Sequence, residues 1–295
     1  DTVIPVTWQK QQGYGAGLTV TGLEGGHSGS EIDKEHANAN ILMGRVLKYL
    51  SDRMELAVVS LAGGLKDNAI PRECDAEIVI PEEKKAELSD YITELEKIFK
   101  KEYAVSDPAV CIEIKENGTG EYEVLSYSSM TKVIFYLRNV PNGVQHMSMV
   151  MPGLVETSLN LGVLTLEKDK LTLQYAVRSA VGTAKEYLLK RIAALVEEFG
   201  GRVTNTGNYP AWEYRRDSVL RDDMVRIFKE MYGKEPTVEA IHAGLECGIL
   251  AGKIDGLDAV SIGPDMIAIH TTEEKLSISS TKRVWDYILK VIACK

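Results

Sequence analysis

Three consecutive segments decide the fold: VETSLNLGVLTLE (155–167), KLTLQYAVRS (170–179) and TAKEYLLKRIAALVEEF (183–199). The first two are typical of strands, and the second alternates Leu173, Tyr175 and Val177 with residues of a different face. The third is predicted to be a helix. The segment Ser126–Leu137 before them is also predicted to be helical. The order is therefore helix, strand, strand, helix.

The same order occurs earlier in the chain. A helix at Lys34–Leu50 precedes the strands MELAVVSLAGG (54–64) and ECDAEIVIP (73–81), and a helix at Glu82–Lys101 follows. The turns LKDNAIP (65–71) and EKDKLTL (167–173) occupy the same position in the two units, between the first strand and the second. Two such units side by side predict one continuous sheet with helices on one face, an α+β arrangement rather than a Rossmann core. The alternative is coincidence between two stretches of an ordinary two-layer α/β chain.

The residue composition changes after Gly201, where the segment GNYPAWEYRRDS (207–218) contains three aromatic residues and a proline. We place a domain boundary there, which gives domains 1–210 and 211–295. The second domain is predicted to contain three helices and two strands and to be half of an α/β domain. Its predicted elements are helix Ser218–Tyr232, strand Thr237–Ala240, helix Leu245–Gly252, strand Asp258–Ile262 and helix Ser280–Cys294.

Composition excludes several classes of protein. The 295 residues are 44% hydrophobic and 26% charged, which is sufficient for two domains with separate cores. The formal charge of −9 repels phosphate backbones, so nucleic acid is not an expected partner. The longest stretch without charged side chains, 139–155, contains prolines, glycines and polar residues, so no membrane span is expected. The four cysteines are too widely spaced for a CxxC motif, and a cytoplasmic protein with reduced thiols is the simplest interpretation.

Three histidine-containing stretches are candidates for chemistry: LEGGHSG (23–29), HAGLECG (242–248) and AIHTTEEKLSIS (268–279). His270 ends an apolar run, Ala259–Ile269, that reads as a strand interrupted by a Gly-Pro turn. A strand end is a common position for a metal ligand, although a histidine there is more often a hydrogen-bonded structural residue.

These loops, together with GLEGGHSGSEIDKEHANANILMGRVL, PGLVETSLNLGVL, VRSAVGTAKEYL, NYPAWEYRRDSVL, HAGLECGIL and IGPDMIAIHTTEEKLSISSTKRVWDYIL, resemble the M20 metallopeptidase family. The resemblance is greatest to its aminoacyl-histidine dipeptidase branch. It implies a lid or dimerisation-like domain at 1–210, with two-layer helix-strand-strand-helix units, and the C-terminal half of an α/β zinc-peptidase domain at 211–295. It also implies a cytoplasmic hydrolase that acts on Xaa-His dipeptides through a water activated by two zinc ions.

The resemblance also implies that part of the enzyme is missing. Segments of the H-x-D and D-E-E type, which hold most of the family's metal ligands and its general base, do not occur in this sequence. The chain begins at Asp1, so we expect a fragment, roughly the last 60% of a longer enzyme. His270 is the one metal ligand expected here. We therefore expect this chain alone to bind no zinc tightly, to be inactive, and to need the N-terminal catalytic half as a partner.

The resemblance assigns roles to six further residues. His27 is the expected catalytic donor to the oxyanion, and Arg178 is expected to hold the terminal carboxylate of the substrate with Asn160 beside it. His242, Gly244 and Glu246 are expected to contact the substrate, in part through helix amides that start near Leu245. Three of them have a structural alternative: His27 as a polar loop residue, Arg178 as a solvated strand residue, and His242 as a packing residue. For the protein as a whole, the alternatives are a self-associating lid module, such as a homodimer, and an inactive relative.

Overall fold

The computed structural model describes residues 1–240, 246–267 and 273–294. The chain forms two compact units, Asp1–Asn208 and Tyr209–Lys295. This boundary lies two residues before the domain boundary expected from the sequence. The assignment of the units to a lid and to half of a catalytic domain stays a prediction.

The first unit combines four α-helices with eleven strands. Its helices are α1 (Ala39–Ser51), α2 (Lys85–Glu102), α3 (Tyr127–Asn139) and α4 (Gly182–Glu198), with 3₁₀ turns at Ile32–Lys34 and Glu82–Lys84. Its strands are β1 (Thr2–Pro5), β2 (Trp8–Thr21), β3 (Gly26–His27), β4 (Ala57–Gly63), β5 (Ala69–Ile70), β6 (Cys74–Ile80), β7 (Cys111–Leu125), β8 (Gly143–Met147), β9 (Val155–Leu166), β10 (Lys170–Ser179) and β11 (Arg202–Val203).

The main sheet has the order β11-β1-β10-β9-β4-β6-β2-β7, with β8 paired to β9. This order is symmetrical about the contact between β4 and β9, where Ala62 pairs with Thr165 and Gly63 pairs with Leu164. The first half is a βαββαβ unit formed by β2, α1, β4, β6, α2 and β7. The second half repeats it with α3, β9, β10, α4 and β11, and takes its first strand, β1, from the start of the chain. The prediction of two units in one continuous α+β sheet is confirmed.

The helices cover one face of this sheet. One core cluster contains buried residues of all four helices, including Leu42, Phe99, Leu137 and Ile192. The strands contribute alternate residues to the same cluster: Cys74, Ala76, Ile78 and Ile80 of β6 belong to it. Val79 of the same strand instead joins a small cluster with Ala57 and Val124. The opposite face of the sheet therefore remains available for a functional site.

Two local expectations differ from the structure. Helix α1 begins at Ala39 rather than Lys34, because Asn38 caps its first turn and Glu35 has a left-handed backbone conformation (φ 55°) that a helix cannot contain. The two turns of the repeats also differ. A three-residue turn joins β9 to β10, whereas the connection from β4 to β6 spans 64–73 and contains β5.

The second unit contains α5 (Val219–Tyr232), α6 (Glu246–Ala251), α7 (Ile278–Ala293) and a pair of two-residue strands, β12 (Met266–Ile267) and β13 (Lys275–Leu276). The predicted strands Thr237–Ala240 and Asp258–Ile262 are wrong, because neither joins a ladder in the described part of the chain. An extended segment forms a strand only when another strand accepts and donates its backbone hydrogen bonds. A small cluster of Met224, Ile227 and Tyr287 forms the core of this unit.

Among the residues with described structure, none of the helices combines the length and the apolar composition that a membrane-spanning helix requires.

Candidate functional site

The loop after β2 presents His27 on a short strand. Gly26 has φ 137°, which non-glycine residues rarely adopt, and lets the chain turn into β3. In β3, Gly26 pairs with Ile70 and His27 pairs with Ala69 of β5. The carboxylate of Glu31 accepts a hydrogen bond from the backbone N–H of His27 at 2.8 Å. The backbone at His27 is thus fixed although its side chain is exposed.

Hydrogen bonds determine which ring nitrogen of His27 carries the proton. The Nδ1 atom accepts from the backbone N–H of Gly29 at 3.1 Å and of Ser30 at 3.3 Å. A neutral imidazole whose Nδ1 is an acceptor has its proton on Nε2. His27 can therefore offer an N–H donor from an exposed ring without first being protonated.

Arg178 lies near the end of β10, where it pairs with Ser158 of β9. Its strand neighbours Tyr175 and Val177 pack against the helical core, so alternation directs Arg178 to the opposite face of the sheet. Its Nε atom is buried and has no hydrogen-bond partner among the described residues. Burial lowers the pKa of Arg178 below its usual range, and the nearby charge of Asp67 opposes this shift. A partly desolvated guanidinium of this kind favours an anionic ligand.

His27 and Arg178 converge at Gly29. A Cβ atom placed at Gly29 would lie 2.9 Å from Cε1 of His27 and 3.2 Å from Cζ of Arg178. The imidazole and the guanidinium therefore lie within a few ångströms of each other beside Gly29, and a side chain at position 29 would collide with both. The first repeat provides the histidine and the second provides the arginine.

Asn160 shares the sheet face of Arg178, since it pairs with Ala176 two residues away. Its side chain is 1% exposed. Its Nδ2 donates to the carbonyl oxygens of Asp67 and Ala69, both at 2.8 Å, and its Oδ1 accepts from Asn38 at 3.2 Å. Both N–H donors of Asn160 are thus in use, so donation from Asn160 to a substrate would require one of these bonds to break. That contact stays a prediction.

Three residues at this site were not found from the sequence. Asn38 was missed because its helix start was placed too early, although asparagine before an apolar helix is a capping signal. Gly29 and Gly162 carry no chemistry of their own, and their role depends on which backbone approaches them. Gly162 is the extra residue of a bulge in β9, where Val163 pairs with Gln174 and Leu161 pairs with Tyr175.

The predicted residues of the second unit are described only in part. His242, Gly244 and His270 lie outside the described residues. Glu246 is exposed and begins α6, a helix of six residues. Within residues 1–240, 246–267 and 273–294, no three His, Cys, Asp or Glu side chains come together as a metal site. The described residues thus do not form the two-zinc centre that the resemblance implies.

Comparisons with known proteins agree with the resemblance. The profile of the peptidase dimerisation domain of M20 proteins matches residues 18–107. The cytosol non-specific dipeptidase of Escherichia coli (strain K12) is 31% identical over 275 residues, which are 93% of this chain and 56% of that protein. The crystal structure of aminoacylhistidine dipeptidase from Vibrio alginolyticus superimposes with a TM-score of 0.92 at 30% identity. That match covers 99% of this chain and 60% of the solved one.

Proposed function

Because this chain belongs to the M20 peptidase family, in the branch of the aminoacylhistidine dipeptidases, we propose that it supplies substrate-binding parts of a zinc-dependent dipeptidase for Xaa-His dipeptides such as carnosine. The chain spans less than two thirds of either relative, so the activity is proposed for a longer enzyme. A cytoplasmic location belongs to the same proposal.

The convergence of His27 and Arg178 supports this proposal. In a dipeptide, three covalent bonds separate the scissile carbonyl carbon from the terminal carboxyl carbon, a distance of about 3 to 4 Å. One dipeptide is therefore long enough to contact both side chains, because Cε1 of His27 and Cζ of Arg178 lie within a few ångströms of each other at Gly29.

The two side chains have complementary tasks. The guanidinium of Arg178 can bind the terminal carboxylate through two parallel hydrogen bonds, which compensate for its desolvation. This contact fixes the substrate carbonyl near His27. The Nε2–H of His27 then donates to the carbonyl oxygen as negative charge develops there, and such a donor contributes roughly 3 to 4 kcal/mol to the stabilisation of the transition state.

The metal chemistry of the proposed enzyme rests on the resemblance alone. His270 is still proposed as a zinc ligand, and His242, Gly244 and Glu246 as substrate contacts, because the resemblance assigns them. The roles proposed for His27 and Arg178 are binding, orientation and hydrogen bonding.

The direct test is to assay the source gene's full reading frame and the 295-residue chain separately. We expect the full product, supplied with zinc, to hydrolyse carnosine and other Xaa-His dipeptides, whereas the chain alone does not. Absence of hydrolysis by the full product would reject the enzyme proposal. Chelator-sensitive hydrolysis by the chain alone would reject the proposal that it needs a further catalytic half.

Self-association is a second candidate function, because the matching profile is that of a dimerisation domain. A homodimer or a non-catalytic lid module would both be compatible with this match. Sedimentation equilibrium over a concentration series distinguishes them from a monomer. A mass that stays at one chain, 32.6 kDa, at every concentration would exclude self-association.

A further inference from the structure

Two buried asparagines connect the sheet to the turn that supports His27. Asn38 and Asn160 are 4% and 1% exposed. The Oδ1 of Asn38 accepts from the backbone N–H groups of Asn40 and Ile41, and so caps α1. Its Nδ2 donates to Oδ1 of Asn160 at 3.2 Å and to the carbonyl oxygen of Leu161 at 3.0 Å. These contacts fix the orientation of the Asn160 amide, with both of its N–H donors directed at the turn.

This turn, residues 66–69, is itself bonded to the His27 loop. Asn160 holds the carbonyl oxygens of Asp67 and Ala69. Between them, the carbonyl oxygen of Asn68 accepts from the backbone N–H of Ser28 at 2.9 Å. Ala69 also pairs with His27 itself across β3 and β5. The hydrogen bonds thus run from α1 through Asn38, Asn160 and the turn to the backbone on both sides of the imidazole.

The turn can lie this close to β9 because residue 162 is glycine. A Cβ atom at Gly162 would lie 2.4 Å from both Cα of Asp67 and the carbonyl oxygen of Lys66. No such contact is tolerated between a side chain and backbone. The bulge at Gly162 and the amide of Asn160 therefore specify the same placement of the turn by two independent means.

We propose that Asn160, oriented by Asn38, is a positioning residue that sets the distance between His27 and Arg178. This inference rests on the proposed dipeptidase function for its catalytic meaning. The structural part of the inference does not depend on that function. The amide donors of Asn160 connect β9 to the turn that supports the His27 loop, and β9 is the neighbour of the strand that carries Arg178. Both N–H donors of Asn160 are used in hydrogen bonds to the turn, which packing alone would not require.

Isosteric substitutions separate donors from acceptors. Asn160→Asp retains the acceptor used by Asn38 but removes both donors to the turn. Asn38→Asp retains the helix cap, since aspartate caps as well as asparagine, but removes the donor that orients Asn160. The matched control is Asn142→Asp. The Oδ1 of Asn142 accepts from Leu161 N–H and from Asn38, so aspartate keeps both bonds while adding the same charge.

Hydrogen exchange of individual amides in the 295-residue chain is the first measurement. Loss of two hydrogen bonds in Asn160→Asp should raise exchange at Ser28 and Ala69 by about 30-fold, while amides of β6 such as Ile78 keep their rates. Asn38→Asp should act in the same direction, and Asn142→Asp should leave Ser28 unchanged. The ¹⁵N resonance of His27 Nδ1 should also shift in the first two variants, because its bonds to Gly29 and Ser30 loosen.

An unchanged exchange rate at Ser28 in Asn160→Asp would overturn the proposal, as would an equal increase at every amide, which indicates general destabilisation. If the aspartate variants do not fold, Gly162→Ala displaces the same turn without adding charge and must raise exchange at Ser28. Gly120→Ala is its control, because a Cβ there would meet nothing closer than 3.7 Å. Exchange that responds as expected, together with a full-length product that hydrolyses no dipeptide, would reject the proposed function and leave the positioning role intact.

Discussion

The imidazole of His27 and the guanidinium of Arg178 lie side by side next to Gly29, although they come from different repeats of the sheet. The histidine is held through the β3–β5 pair and the arginine by its place in β10. The relationship depends on the join between β4 and β9, which brings the two repeats into one sheet. In the proposed dipeptidase, His27 is the oxyanion donor and Arg178 is the fork for the substrate carboxylate.

His27→Ala should lower kcat of the full enzyme by about 100-fold or more with little change in metal content, because a hydrogen bond made mainly in the transition state is lost. Steady-state kinetics together with metal analysis check this expectation. The control is His146→Ala, which removes another exposed histidine, in β8. An unaltered kcat in His27→Ala would indicate that His27 is only a polar loop residue.

Gly29→Ala tests the space between the two side chains. The added methyl group would lie 2.9 Å from Cε1 of His27 and 3.2 Å from Cζ of Arg178, closer than carbon atoms normally pack, so it should displace both side chains. We expect kcat/KM for dipeptides to fall by about 10-fold to 100-fold, as small misplacements at a reacting centre do. Gly17→Ala is the matched control, because its methyl group would have no contact closer than 3.5 Å. Equal kinetics for both variants would place the substrate elsewhere.

Much of the first unit was predictable because its signals are local. The segments of α2, α3 and α4 were all predicted to be helical, and the repeated order of elements indicated the continuous sheet. The pairing of β1 with β10 was not predictable, since a four-residue strand at the start of the chain gives no sign of a partner near Leu171. The two strands expected in the second unit were wrong because their composition suits a strand, but a strand also needs a hydrogen-bonded neighbour.

The site was predictable only in its chemical groups. Resemblance selected His27 and Arg178 from their motifs, but not their meeting at Gly29, which follows from tertiary contacts. The pairing of Asn38 with Asn160 joins residues 122 positions apart and leaves no local pattern. For Asn160, sequence reasoning selected the residue but could not show that its donors are already used by the backbone of Asp67 and Ala69.

The stability of the first unit should fall in alkaline solution because of Cys74. This residue of β6 is fully buried, and burial raises its pKa well above the ordinary value of 9.0. The thiol thus ionises only in the unfolded chain once the pH exceeds about 9. The free energy of unfolding is unaffected by this group at lower pH and should decline above it by up to about 1.4 kcal/mol per pH unit.

Urea unfolding of the chain between about pH 7 and 10 measures this slope. Cys74→Ala should reduce it, while Cys294→Ala, at an exposed position, should leave it unchanged. A smaller slope should persist in Cys74→Ala, since the pKa of Cys111 is also raised, first by burial and then by Glu96 and Glu113. Identical slopes in wild type and Cys74→Ala would contradict the expected ionisation behaviour.

Arg178 is proposed to bind the terminal carboxylate of the substrate. Arg178→Lys should lower kcat/KM of the full enzyme, because lysine cannot form the two parallel hydrogen bonds of the guanidinium. Amidation of the dipeptide's terminal carboxyl removes the same interaction from the other partner. The two changes should therefore be non-additive, with a shared contribution of about 2 to 3 kcal/mol, and the amidated dipeptide should be hydrolysed almost equally by wild type and variant.

Kinetics of both enzymes with both substrates complete this double-mutant cycle. Arg191→Lys, at an exposed position of α4, is the control and should keep the wild-type preference for the free carboxylate. If Arg178 were only a solvated strand residue, Arg178→Lys would change activity by no more than about twofold with either substrate. Fully additive losses would indicate a folding defect of the first unit, because two changes that act on one contact cannot each remove it completely.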